Sequence, residues 1–261
     1  MNSVILCEGE TDIVILSKYL IHQYQFEFVS DDIFGVTPLI KNNKSEIMCN
    51  YSNPNNKLLI WAVGGKDNFQ RALDKLFGVN DIGANEYYNR IIIFSDNDSK
   101  EEIESQRLSL NEIVYKYRFA GEAPAFEIGQ WKSGKMKTKM TDADVDIETL
   151  LLAIPKDENG ALETMLLKSF EAPSDKLLAS KSMKFVEHLK EYKKEDFCYL
   201  SNRRDYIKAP LAVFFAVATP DRVFAKQNEI LESISWEKFA AIRKELKVLD
   251  IFAIGNANML S

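Results

Sequence analysis

The residues best suited to chemistry in this sequence are acidic, and they come in two groups. Glu8 and Asp12 lie in "VILCEGETD" (4–12), and Asp96 and Asp98 lie in "IIIFSDND" (91–98). In each, an apolar run hands over to carboxylates. Carboxylates converging on one crevice repel one another and raise their own pKa values unless a cation neutralises them. Hard divalent ions such as Mg²⁺ or Mn²⁺ take oxygen ligands of this kind. Two such ions about 4 Å apart serve phosphodiester chemistry, one activating water and the other stabilising the leaving oxygen. The plainer reading of a DxD after a strand is turn chemistry or helix capping, and on this motif alone it stays open. A calcium loop fails, because Lys100 and Glu101 stand where an oxygen ligand and a glycine are needed. Aspartyl phosphatases and glycosyltransferases also use DxD, but they leave "CEGETD" without a role.

Positioning these acids requires strands that end at them. Three apolar, β-branched segments do so: "SVILCEG" (3–9), "KLLIWAVGG" (57–65) and "RIIIFSDND" (90–98). Continuous apolar runs of this length suit strands buried on both faces. A helix pattern follows each one. Ile13, Leu16 and Leu20 follow the first strand at helical spacing. Phe69, Ala72, Leu73, Leu76 and Phe77 follow the second, with Asp67 expected as N-cap, and "SKEEIESQRLSLNEIVYKY" follows the third. Repeated strand–helix units predict a doubly wound, Rossmann-like α/β fold with a mainly parallel sheet flanked by helices. Ligands of such sheets sit beyond the carboxyl ends of the strands, where Glu8, Gly64, Gly65, Asp96 and Asp98 fall. The polar stretch 41–56 is expected as a loop, and "AFEIGQW" (125–131) and "ETLLLAIP" (148–155) as further strands. From about 161 the pattern is helical, with Ser235 expected as the N-cap of "SWEKFAAIRKEL". The expected organisation is an α/β core over 1–170 and a helical C-terminal extension over 171–261.

Composition narrows the class. The net charge of −6 over 261 residues argues against a general polyanion binder, while leaving room for local basic surfaces. Cys7, Cys49 and Cys198 are far apart and lack CxxC spacing, as expected of reduced thiols. The most apolar run, "APLAVFFAVA" (209–218), is too short to span a bilayer, and the N-terminus has no signal-peptide pattern. A cytoplasmic protein with no membrane partner is expected.

Together, "VILCEGETD" and "IIIFSDND" resemble the TOPRIM domain, a Mg²⁺-binding α/β module found in topoisomerases, bacterial primases, recombination proteins and OLD-type nucleases. In that pattern Glu8 matches the glutamate of the first motif, and Asp96 and Asp98 match the DxD pair. "VGGKDNF" (63–69) resembles the glycine segment between them. OLD-type nucleases and small stand-alone TOPRIM proteins are the most similar branch, with Asp12 as the second acid of the first motif and Ser95 as the small hydroxyl residue before DxD. The same resemblance marks Glu163, in "IPKDENGALETMLL", as a further metal ligand, and Lys208, in "DYIKAPLAVFF", as the lysine that stabilises developing charge. It implies a divalent-metal-dependent nuclease using Mg²⁺ or Mn²⁺, two ions in all, with DNA or RNA as substrate. It also implies a place in phage or mobile-element defence, and it admits a homo-oligomer. No GxxxxGK[ST] phosphate loop occurs in the sequence, so any ATP hydrolysis belongs to a separate ATPase partner. The alternative is a non-catalytic TOPRIM module that binds nucleic acid or protein in repair or recombination. A primase is disfavoured because no zinc-binding pattern is present, and a topoisomerase because the large strand-passage domains are missing.

Other residues carry two readings each. Lys66, beside Gly64 and Gly65, suits a phosphate contact, or the glycines simply make a tight turn. Lys132, Lys135, Lys137 and Lys139, next to Trp131, suit nucleic-acid binding, or they form a solvated loop. Arg203 and Arg204 are a weaker case of the same kind. "TDADVDIE" (141–148) reads as a solvated acidic loop, and His22 and His188 as structural.

Overall fold

The computed structural model describes residues 1–29, 46–83, 87–192, 199–200, 202–220 and 240–253. Cys198 and the Ser235 cap lie outside these residues, as do the side chains of Arg203 and Arg204. The chain packs as two compact units. One comprises Met1–Ser95, Ser99–Ala153 and Val248–Ser261, and the other comprises Asp96–Asp98 with Ile154–Lys247.

The first unit is α/β. In chain order it holds β1 (Asn2–Cys7), α1 (Glu10–Tyr24), β2 (Glu27–Val29), β3 (Ile47–Asn53), β4 (Asn56–Ala62), α2 (Phe69–Ile82), β5 (Arg90–Asp96), α3 (Lys100–Val114), β6 (Lys132–Lys137) and β7 (Asp144–Ile154). The seven strands form one sheet in the order β2-β3-β4-β1-β5-β7-β6. β1 is parallel to both β4 and β5, with Leu6 opposite Trp61 on one side and Ile93 on the other. β2–β3, β3–β4 and β6–β7 are antiparallel, so a parallel centre carries antiparallel pairs outside it. The sequence expects a mainly parallel sheet, and the fold class is the α/β one expected.

The unbroken apolar runs reflect burial of both sheet faces. Val4, Leu6, Leu59, Trp61, Ile91 and Ile93 pack with Phe69, Leu73, Leu76 and Phe77 of α2 and with Ile103, Leu110 and Val114 of α3. The alternate residues Ile5, Leu58, Ile60, Ile92 and Phe94 are buried as well, and α1 packs against β3 and β4. With period 2 in the strands and both sides covered, no position is left for polar alternation.

Five local expectations are corrected. Within the polar stretch 41–56, Ile47–Asn53 is not loop but strand, closing a hairpin on β4. Asn53 makes the turn: its Oδ1 accepts the N–H groups of Asn55 (3.0 Å) and Asn56 (2.9 Å). The segment 125–131 is not a regular strand. It makes only isolated bridges, and Gly129 interrupts it at φ 69°. Asp67 is not the cap of α2 but lies in a 3₁₀ turn, Lys66–Asn68, and Asn68 precedes the helix. "KSGKMK" is not a loop but the edge strand β6, and much of "TDADVDIE" is the start of β7.

The outer edge of β6 is covered. Lys137 N–H donates to Arg118 O (2.9 Å) and Ala120 N–H to Lys135 O (2.8 Å), which removes the open ladder that an edge strand would otherwise present. Gly134 permits this close approach, since a Cβ there would stand 2.7 Å from Pro124 Cδ and 2.9 Å from Glu122 O.

The second unit is helical: α4 (Leu162–Lys168), α5 (Pro173–Leu189), α6 (Arg203–Ala218) and α7 (Ala240–Glu245). α4 packs against the other three. Leu162, Met165, Leu166, Leu211, Phe214 and Ile242 are buried, and Phe170 stacks on Phe214 at 4.2 Å between ring centroids. The sequence draws its boundary at 170, whereas α4 groups with the helices that follow it.

Candidate functional site

In the α/β unit the first acidic motif is built by the end of β1. Cys7 closes the strand, Glu8 follows, and Gly9 is the N-cap residue of α1. Asp12 sits in the first turn and accepts the Gly9 N–H at 2.9 Å. That is half of a capping box, with the carboxylate at the positive end of the helix dipole. Asp12 is buried and Glu8 half-buried. Burial pushes the Cys7 thiol well up, and the negative charges of Asp12 and Glu8 raise it further. Cys7 is therefore a protonated core thiol, not a nucleophile.

β4 ends against the same residue. Gly64 N–H (3.1 Å) and Gly65 N–H (2.9 Å) both donate to the Glu8 carbonyl. The two glycines adopt φ 79° and 115°, a region that side chains strongly disfavour. These N–H groups thus serve the turn, and the tight-turn reading of the glycines accounts for them. The turn delivers Lys66, whose Nζ lies 3.6 Å from Glu8 Oε1. β5 delivers Ser95, which is buried, with Oγ 3.2 Å from Glu8 Oε1 and 3.0 Å from Gln106 Oε1 on α3. Glu8, Asp12, Lys66, Ser95 and Gln106 therefore form one constellation at the carboxyl ends of β1, β4 and β5.

In the helical unit the second motif is tied to the start of α4. Asp96 Oδ1 accepts the Leu162 N–H at 3.2 Å. Asn97 is buried and clamps the following loop. Its N–H donates to Ile154 O (2.8 Å), its carbonyl accepts from Gly160 (2.8 Å), and its Nδ2 donates to Pro155 O (2.8 Å) and Glu158 O (3.2 Å). Asp98 is half-buried. Glu163, the second residue of α4, is 3% exposed. Its Oε1 lies 2.9 Å from Lys208 Nζ on α6. Two residues marked for different roles thus form an ion pair.

The structure brings Glu8, Ser95 and Lys66 together in one unit, with Asp12 in the helix turn that follows Glu8; in the other unit Glu163 pairs with Lys208, and Asp96 bonds the N–H of Leu162, the residue before Glu163. The donor set is all carboxylate, which suits a hard divalent ion, and each of the two glutamates already has an ammonium group beside it. Among the described residues, no three acidic, histidine or cysteine side chains stand close enough together to hold an ion as they lie. Loading with metal would therefore require carboxylates to exchange their present partners.

The lysine-rich stretch lies elsewhere in the fold. Lys135 and Lys137 project from β6 opposite Asp146 and Asp144, with Nζ–Oδ1 distances of 2.9 Å in both pairs. Lys139 pairs with the buried Asp81 at 2.5 Å, and Lys132 is exposed at the start of the strand. Trp131 donates its indole N–H to Val248 O at 3.1 Å. Sequence reasoning missed Asn97 and Gln106. The only signal for Asn97 is an amide placed between two acids, and Gln106 has none, being one of several polar residues on its helix.

Among the described residues no helix is long and apolar enough to cross a membrane. No protein-family model matches the chain, and no curated protein matches it. Among solved structures, the chain is similar to a crystal structure of a hypothetical protein from Pyrococcus horikoshii OT3, at 14% identity and a TM-score of 0.49, over 95% of this chain and 99% of that one.

Proposed function

We propose that this protein is a divalent-metal-dependent nuclease of the TOPRIM kind, hydrolysing phosphodiester bonds of DNA or RNA. One observation carries the reading. Ser95, the residue immediately before the DxD pair, reaches the Glu8 carboxylate across adjacent parallel strands that both lead into acids. That is where an α/β sheet offers its ligand crevice.

On this reading Glu8, Asp12, Asp96, Asp98 and Glu163 supply carboxylates to Mg²⁺ or Mn²⁺. When bound, the ions supply an activated water and neutralisation at the leaving oxygen. Ser95 holds Glu8 in orientation. Lys66 and Lys208, released from Glu8 and Glu163, stabilise negative charge developing on the phosphate. They suit this role better than Lys135 and Lys137, which stand on the edge strand β6, two strands away from β5. The resemblance to OLD-type nucleases extends the proposal to a separate ATPase and to defence against phage or mobile elements.

The second reading, a TOPRIM module that binds nucleic acid or protein without cutting, is favoured by the absence of a ready three-carboxylate cluster among the described residues. Incubation with single-stranded DNA, duplex DNA and RNA, each with Mg²⁺, Mn²⁺ or EDTA, separates the two. The nuclease reading expects cleavage with metal and none with EDTA. Binding of nucleic acid without cleavage under any of these conditions would favour the module.

A further inference from the structure

Ser95 is 1% exposed, and its hydroxyl has two oxygen neighbours, Glu8 Oε1 and Gln106 Oε1. A hydroxyl carries one hydrogen, so it can donate to only one of them. At the other end of the same amide, Gln106 Nε2 is buried and has no hydrogen-bond partner. The two arms of an amide are nearly identical in shape, and the hydrogen-bond network decides which is which. Exchanging them removes both conflicts. Nε2–H then donates to Ser95 Oγ, and the hydroxyl hydrogen is left for Glu8. The exchange places a carbonyl in the buried position, and a lone buried carbonyl is tolerated better than orphaned N–H groups.

We propose that Gln106 is a positioning residue whose amide donates to Ser95, directing the single Ser95 hydrogen onto the Glu8 carboxylate. The relay runs from α3 through β5 to the end of β1, within the α/β unit. Glu8 thereby receives a charge-assisted hydrogen bond that fixes its rotamer and supports its charged form. The importance of this for metal rests on the function proposed above, since partners of this kind orient ligating carboxylates. The direction of the relay does not rest on it.

Two variants of equal size separate the possibilities. In Gln106→Glu the new carboxylate can only accept, so it draws the Ser95 hydrogen away from Glu8. Gln106→Met keeps the volume and removes both polar atoms. The relay predicts that Gln106→Glu weakens Mn²⁺ binding, read by calorimetry, by about tenfold or more, and that Gln106→Met weakens it less. Ser95→Ala behaves like Gln106→Glu, and Ser95→Thr, which keeps the hydroxyl, restores affinity. The reverse order, with Gln106→Glu the milder change, would overturn the proposal. A metal-free measurement decides the amide direction independently. In ¹⁵N-edited NMR spectra of the unmodified protein, the Gln106 side-chain NH₂ should show a contact to the Ser95 Hβ protons and slowed exchange, both lost in Ser95→Ala. Absence of that contact overturns the relay. Its presence in a protein that binds no Mn²⁺ supports the relay and counts against the metal reading alone.

Discussion

Lys208 Nζ lies 2.9 Å from Glu163 Oε1, and the carboxylate is almost wholly buried where the lysine is not. Removing one partner of a buried pair typically costs about 3–5 kcal/mol. The lysine side chain is 37% exposed, so solvent screening reduces this to about 1–3 kcal/mol. Lys208→Met should therefore lower the unfolding free energy by that amount in urea melts. Adding Glu163→Gln, which removes the unpaired charge, should recover much of the loss. A double variant as unstable as the sum of the two single ones would show that the pair is not coupled.

Gly134 is set by space and not by its backbone angle. A methyl group there meets Pro124 and the Glu122 carbonyl, so the β6 edge and its covering segment must part. Gly134→Ala should cost about 1–3 kcal/mol, the usual range for overpacking. Thermal unfolding checks it, and an unchanged melting temperature would mean that the segment 118–124 yields freely.

Tyr51, on β3, gives a pH dependence. Burial pushes its hydroxyl up to about 12, against a lowering hydrogen bond from Ser17. A phenol harder to ionise when folded than when unfolded stabilises the fold fully below the unfolded pKa of about 10, and that contribution is lost as pH rises from there toward 12. Stability should fall through this window, with Tyr51 contributing about 1.4 kcal/mol per pH unit. Tyr51→Phe should flatten the fall. Urea melts at pH 8 to 12 measure both, and equal slopes would contradict the assignment.

The cross-strand pairs Lys135–Asp146 and Lys137–Asp144 lie in reach of solvent, so screening leaves them little weight in stability. Because these lysines are already neutralised, replacing both with glutamine should change DNA affinity little. Affinity measured against salt concentration checks this. A large loss together with a shallower salt dependence would restore the stretch as a phosphate contact.

The legible parts of the molecule were those where burial on both sides leaves a pattern in the chain. β1, β4, β5 and the apolar stripe of α2 all show it, and so the strand ends bearing Glu8 and Asp96 could be placed. The hairpin strand β3 was not legible. Its short apolar run, Ile47–Cys49, breaks off at Asn50, and the strand is set by its pairing with β4 and by the Asn53 turn. β6 carried no apolar signal because its lysines face aspartates across the ladder. At the candidate site, residue type identified the carboxylates. Their partners depend on three-dimensional neighbours far apart in sequence, as with Lys208 and Glu163 or Gln106, Ser95 and Glu8.

The central claim is that the acids at the ends of β1 and β5 act on phosphodiesters through metal. Its most direct test is cleavage of single-stranded DNA, duplex DNA and RNA with Mn²⁺ by the unaltered protein, Glu8→Gln and Asp96→Asn, with all three shown to be folded by circular dichroism. Metal-dependent cleavage by the unaltered protein, reduced at least about a hundredfold in each variant, is the predicted result. Cleavage that survives both substitutions would contradict the site.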